Sequence, residues 1–384
     1  MKRIEELDMI KGLLITFVVT FHCSLLVGTL GLWGSVGKMM LALAVPSMFV
    51  FMMASGIVYK FKGESVAKEI LQRCKSLLDQ YYLYSIPMLI VYFIVYVLVA
   101  GRSLGWFADG LISILCHYQG VHLFSDAPIV HEMFYGTWSC WYLFQVAAAY
   151  IVFIPVQHIL VGKPRQMQIL SALLLLGLGA IFYILDLQGL NGKFFPMTTK
   201  IFILPNIFGF AGVLTIGKCL SEYNVGKLTH AKVSAKISTI VITMVLLFVF
   251  YLLEDYLYDL PIGKWGPFQA WSYFYAPICG LTLFFFLFTL CNFLKSKDSI
   301  KKLLGFFGQN SLLILITHEW VMWFVQYVGG FWYPYVTVPI PLDDPVLCNT
   351  NFFILLGVTS LILIPYIMLR NKWKNASKTR GICG

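Results

Sequence analysis

Long apolar runs, separated by short connections of alternating polar character, dominate this chain. A membrane-crossing helix needs about 20 consecutive apolar residues. Ten runs are of that order: 10–32, 39–59, 82–100, 138–160, 167–187, 200–217, 234–253, 270–294, 306–328 and 350–370. The connections 60–81, 218–233 and 295–305 are basic. The connections 101–137, 254–269 and 329–349 are long, aromatic and acidic or neutral. The pattern predicts an all-α integral membrane protein, a bundle of about ten transmembrane helices forming a single polytopic domain over residues 1–384.

The basic residues give that bundle a direction. With the N-terminus in the cytoplasm, the inner segments hold 23 Lys and Arg. The outer segments hold five: Lys38, Arg102, Lys193, Lys200 and Lys264. Cytoplasmic loops carry such an excess of cations, so both termini are expected inside. A missed span would reverse every later connection and destroy the bias. The first run follows Lys2 and Arg3, as a signal peptide would. It is too long for one and no small-residue cleavage site follows it, so it is read as retained. A multi-pass protein of the cell (inner) membrane is expected.

Composition agrees. Of 384 residues, 59% are hydrophobic and 12% charged, against about 25% charged in ordinary soluble domains. Too few charges are present to cover a soluble surface, and too many apolar residues for disorder. The net charge of +10 would suggest nucleic acid if it were clustered. It lies in loops between apolar runs instead, so no nucleic-acid partner is expected. Nine cysteines show no metal-type spacing, and a disulfide framework is not expected. In the outer loop, His117, His122, His131 and Glu132 fit no standard zinc spacing, and no metal is expected.

Ionisable groups in lipid are costly, so each needs a reason. Three stand deep in apolar runs: His22, His318 and Glu319. On the first helix, Lys11 and His22 are eleven residues apart, about three turns, so they share a face, with Asp8 within about 40° of it. The axial separation of Lys11 and His22 is about 16.5 Å at 1.5 Å per residue. A cation at the membrane edge and a base deeper on one stripe suit a long ligand with an anionic head and a reactive tail. Acyl-coenzyme A is such a ligand. The spacing alone equally admits a snorkelling Lys11 and a His22 that only bonds a neighbouring helix. In the ninth run, Gln309, Asn310 and Ser311 read as helix-capping residues. Ser311 and His318 share a face, and Glu319 is placed to orient or charge a histidine. Arg73 and Lys75 read as inner-loop charge or as a phosphate site.

The order of these features resembles the acyltransferase 3 family of polytopic membrane O-acyltransferases. The opening D-M-I-K-G-L-L-I-T-F-V-V-T-F-H, from Asp8 to His22, is similar to that of the fucose 4-O-acetylase-like branch. P-S-M-F-V-F-M-M-A-S-G from Pro46, the basic stretch with Arg73 and Lys75, W-S-C-W-Y-L from Trp138 and F-G-Q-N-S-L-L-I-L-I-T-H ending at His318 resemble four further family segments, in order. The basic stretch departs from the family pattern at Ser76 and at Asp79-Gln80. Runs five to eight resemble it in hydropathy only.

The resemblance implies an enzyme that moves an acyl group, usually acetyl, from cytoplasmic acyl-CoA to a sugar hydroxyl. The acceptor would be a surface polysaccharide or a lipid-linked sugar. His22 corresponds to the histidine required for catalysis, and Asp8 and Lys11 to the acidic and basic motif positions. Arg73 and Lys75 would join Lys11 in holding acetyl-CoA. His318, or backbone amides near it, would face the thioester oxygen. The competing expectation is a transporter or flippase of a lipid-linked sugar or small anion, with His22, His318 and Glu319 as a proton relay. The absence of an internal repeat stands against it.

Overall fold

A computed structural model describes residues 4–26, 35–61, 63–99, 101–108, 111, 141–187, 204–222, 225–259, 272–328 and 345–379. Among the described residues every regular element is a helix and none is a strand. In chain order they are α1 (Glu5–Leu26), α2 (Ser35–Ile57), α3 (Val66–Tyr92), α4 (Trp141–Leu160), α5 (Arg165–Leu187) and α6 (Leu204–Glu222). They continue as α7 (Gly226–Thr229), α8 (Val233–Asp259), α9 (Ser272–Leu294), α10 (Asp298–Gln309), α11 (Ser311–Val328) and α12 (Pro345–Thr379). A π-helical stretch, Phe93–Val99, prolongs α3.

Over their described residues, nine of the apolar runs fall each on one of these helices, and the ninth, 306–328, is divided between two. Backbone polar groups in lipid must be satisfied within the segment, which is why apolar runs of this length fold as helices. Six described helices contain stretches long and apolar enough to cross a membrane: Glu5–Ser24, Tyr142–Leu160, Arg165–Leu185, Val233–Leu252, Phe274–Leu294 and Thr350–Ala376. α2, α6 and α11 carry shorter apolar stretches. The chain is therefore a helical protein of multi-pass membrane character. The outer connections 101–137, 254–269 and 329–349, with their histidines, lie largely outside the described residues.

The helices pack around one large apolar cluster built from α1, α2, α4, α5, α6 and α9. Phe153, Phe284, Phe288, Met52 and Met53 are fully buried in it. α6 is central, resting on α5, α2 and α4. α8 lies at the periphery: Val241, Ile242, Val245 and Phe248 remain exposed, the surface expected against acyl chains. A second cluster joins α1, α11 and α12 through Ile15, Val19, Cys23, Met322 and Phe352.

Two helix crossings are set by glycine. A Cβ on Gly12 of α1 would strike the Leu304 carbonyl of α10, and one on Gly308 of α10 would strike the Asp8 carbonyl of α1. Gly56 and Gly217 play the same reciprocal part between α2 and α6. Small residues let backbones approach closely enough to gain dispersion contact where no hydrophobic drive exists between helices.

The ninth run, expected as one helix over 306–328, is broken at Asn310 into α10 and α11. Asp298, Lys301 and Lys302 make α10 amphipathic, so it lies against α1 instead of continuing an apolar span. Asn310 stands in the junction with its backbone oxygen accepting from Ile314 N at 2.9 Å. Its side chain does not perform the capping role expected of it. Nδ2 instead donates back to Phe306 O at 2.7 Å, and Oδ1 accepts from Asn371 Nδ2 of α12 at 3.0 Å.

Candidate active site

α1 and α11 carry the three ionisable residues that the apolar runs could least explain, and the fold brings them together. His22 Nδ1 and His318 Nε2 are 2.7 Å apart. The ring centroids are separated by 5.0 Å with 23° between planes. That separation is the nitrogen–nitrogen contact plus a ring radius at each end, so the rings meet edge to edge. Glu319 Oε1 stands 3.7 Å from the other nitrogen of His22, Nε2.

Burial differs across the group. His318 is fully buried and Glu319 is 1% exposed, while the His22 side chain retains 18% exposure. His22 is therefore the member that a substrate can reach. The His318 ring turns back on its own helix, with Nδ1 at 2.9 Å from Ile314 O and 3.0 Å from Leu315 O. The seam between the helices is closed by apolar packing, including Cys23 against Met322.

Such a group can take and hold a proton. Histidine is a side chain suited to proton transfer, and a carboxylate beside it offers a counter-charge for the cation formed. The ligand atoms of His22, His318 and Glu319 lie within 4.8 Å of one another, close enough to be grouped around a metal ion. Chelation by both rings would have to spend the nitrogens already committed to the histidine pair and to the α11 carbonyls.

The remaining expected site residues are not gathered at this pair. Lys11 is on α1, about 16.5 Å from His22 by helical rise, and Asp8 is about 21 Å away. The Asp8 backbone forms the α1–α10 crossing at Gly308. The Arg73 guanidinium lies over the Tyr59 ring, 5.6 Å from its centroid. Lys75 is exposed. Two helical positions are about 200° apart, so Arg73 and Lys75 leave α3 in opposite directions.

A small apolar cleft of about 70 Å³ opens between α1, α10, α11 and α12. Ile15 and Val19, between Lys11 and His22 on α1, form one wall; Phe307, Ile314, Leu363 and Ile367 form the others. Thr16 and Ser360 also border it, but their hydroxyls are bonded to Gly12 O at 2.9 Å and Leu356 O at 2.7 Å. The lining suits hydrocarbon.

Two buried polar clusters had no counterpart in the sequence reading. Glu6 Oε1 accepts from Lys295 Nζ at 2.7 Å and Asn292 Nδ2 at 2.9 Å. Lys236 Nζ extends the network through Asn292 Oδ1 at 2.6 Å and Thr229 O at 2.8 Å. The second cluster pairs Glu69, 1% exposed, with His158 Nε2 at 3.2 Å. Tyr59 lies nearby. The available signal was weak: four-residue spacing of Glu69 and Arg73, and acids beside basic loops. Each of those reads equally well as solvated charge.

Residues 4–370 match the family model of acyltransferase 3, described as an acyltransferase domain. No curated protein and no solved structure matches the chain. The family match does not separate the fucose 4-O-acetylase-like branch from the rest.

Proposed function

From the premise that this chain belongs to the acyltransferase 3 family, we propose that it moves an acyl group, most simply acetyl, from cytoplasmic acyl-CoA to a hydroxyl of a surface polysaccharide or lipid-linked sugar. It does so as a ten-span protein of the cell (inner) membrane with both termini inside. The family makes it a membrane acyltransferase. The observation that carries the finer reading is the meeting of His22, His318 and Glu319 within the bundle. The transport alternative gains no support from the family match.

A sugar hydroxyl is a weak nucleophile, and a base within reach raises its reactivity. His22 is the base. Its ring takes the hydroxyl proton as the oxygen attacks the thioester carbonyl. The C–S bond then breaks, the acyl carbon keeps its new C–O bond, and the proton passes to the departing thiolate. One acyl ester and one free thiol result. The position of Lys11 supports a donor whose phosphates stay at the cytoplasmic edge, where a charge-assisted contact is strong. An extended pantetheine arm is of the same order of length as the rise from Lys11 to His22. Glu319 offsets the charge on His22 while the proton is held.

The test is transfer of labelled acetyl from acetyl-CoA to surface glycan, in membranes with and without the protein. His22→Ala and His22→Gln should each lower turnover about 10²–10⁴-fold, the usual contribution of a general base, at normal protein level. Gln keeps a hydrogen-bonding side chain but no base. Near-normal turnover in His22→Gln would assign His22 to packing and remove it from the mechanism.

A further inference from the structure

The pair of histidines leaves open which nitrogen of His22 is the base, and the surroundings of His318 answer it. The tautomer of a histidine is set by the bond its other nitrogen makes. His318 Nδ1 faces two backbone carbonyls of α11, those of Ile314 at 2.9 Å and Leu315 at 3.0 Å. Carbonyl oxygens only accept, so this nitrogen carries the hydrogen. A neutral imidazole has one N–H, so His318 Nε2 bears a lone pair. His22 Nδ1 lies 2.7 Å from that lone pair and must donate to it. His22 Nε2 is then the nitrogen without a hydrogen.

We infer that His318 is a positioning residue: anchored through Nδ1–H to its own helix, it accepts from His22 Nδ1–H and thereby fixes Nε2 as the basic nitrogen of His22. The inference rests on the reading of His22 as the base and gives that base a defined atom. It also removes His318 from the role expected for it at the thioester oxygen, because its one N–H is spent on the α11 carbonyls and Nε2 carries no hydrogen. Oxyanion donors must come from elsewhere.

The arrangement also fits the charged state. When Nε2 takes the hydroxyl proton, the imidazolium still donates from Nδ1 to His318, so no bond of the pair is broken. The new N–H is on the side of Glu319, whose Oε1 is 3.7 Å away. That is too long for a hydrogen bond and short enough for the carboxylate to stabilise the cation. Burial of His318 and Glu319 keeps water from competing for either contact. A third group that holds a catalytic histidine in one tautomer serves serine hydrolases in the same way, and losing it there costs about 10⁴-fold in turnover.

The full-length protein, labelled with ¹⁵N in its histidines and held in lipid nanodiscs, gives the test. Nitrogen spectra distinguish Nδ1–H from Nε2–H rings, and comparison with His22→Gln assigns the His22 signals. In the wild type His22 should be Nδ1–H. In His318→Phe, which fills the ring's space without an acceptor, that preference should vanish. Turnover should fall about 10–100-fold, the scale on which losing the outer hydrogen-bond partner of a metal-bound histidine acts, with KM for both substrates unchanged. His318→Gln, whose amide oxygen can stand in for Nε2, should recover part of the tautomer preference and part of the turnover. Recovery by Phe but not by Gln would make His318 a packing residue and overturn the inference, as would an Nε2–H ring at His22 in the wild type. Failure of the underlying reading shows separately, as normal turnover in His22→Gln beside an unchanged Nδ1–H signal in the wild type, and it takes this proposal with it.

Discussion

Glu319 Oε1 stands 3.7 Å from His22 Nε2, the nitrogen that His318 leaves free. A carboxylate there matters only once the ring is charged. At an effective dielectric near 20, opposite charges about 4 Å apart attract by about 4 kcal/mol, and part of that is cancelled by desolvation. Glu319→Gln keeps the shape and removes the charge. Turnover should fall on the order of 10²-fold with donor and acceptor KM close to normal. A change confined to KM, read from initial rates, would place Glu319 in binding.

Lys11 should act on the donor alone. Lys11→Ala is expected to raise KM for acetyl-CoA about tenfold, the loss of roughly one charge-assisted contact to phosphate, and to leave acceptor KM unchanged. Separate titration of the two substrates checks this. If acceptor KM moves instead, the phosphates are held elsewhere.

Orientation is open to thiol chemistry, and the structure selects the reporter. Cys74 is a poor one from either side: its thiol donates to Ala147 O at 3.2 Å, and burial pushes its pKa up, so little reactive thiolate forms at neutral pH. Cys383 is the better choice. An impermeant maleimide should leave Cys383 unlabelled in intact cells and label it in inverted vesicles, and on the proposed topology it should reach Cys116 or Cys348 from outside. Labelling of Cys383 from outside would overturn the ten-span arrangement with both termini inside.

Glu6 should govern stability and not chemistry. It accepts from Lys295 and Asn292 far from the histidine pair. Glu6→Ala would leave the buried Asn292 donor and the half-exposed Lys295 without that carboxylate, a loss of about 2 kcal/mol on the scale of hydrogen bonds to charged groups. Tm in detergent should drop, and turnover per folded molecule should hold. An equal loss of turnover with Tm unchanged would count Glu6 among the functional residues.

The sequence reading and the structure agree where hydropathy carries the information. His22, His318 and Glu319 were conspicuous because charge is costly in an apolar run, and each lies at the seam of α1 and α11. Their pairing was not legible, since 296 positions separate the two histidines and no periodicity spans that distance. Glu6 and Glu69 were passed over for the opposite reason. Both sit outside the apolar runs, where acids are ordinarily solvated, and only the packing of neighbouring helices makes them buried. The break at Asn310 was also hidden: Phe306, Phe307 and Gly308 extend the apolar run backwards, and the glycine contact with α1 that holds α10 in place is a tertiary fact.

The distance along the chain between the two histidines also has a consequence for assembly. Synthesis at roughly 5–20 residues per second separates the emergence of α1 from that of α11 by about 15–60 s. During that interval the His22 ring lacks the His318 and Glu319 that meet it in the finished fold, and a nascent chain that stops short of α11 lacks that cluster. Activity is therefore acquired only near the end of translation, when the late helix reaches the first one. A half-made chain can be removed by quality control before it is able to transfer an acyl group.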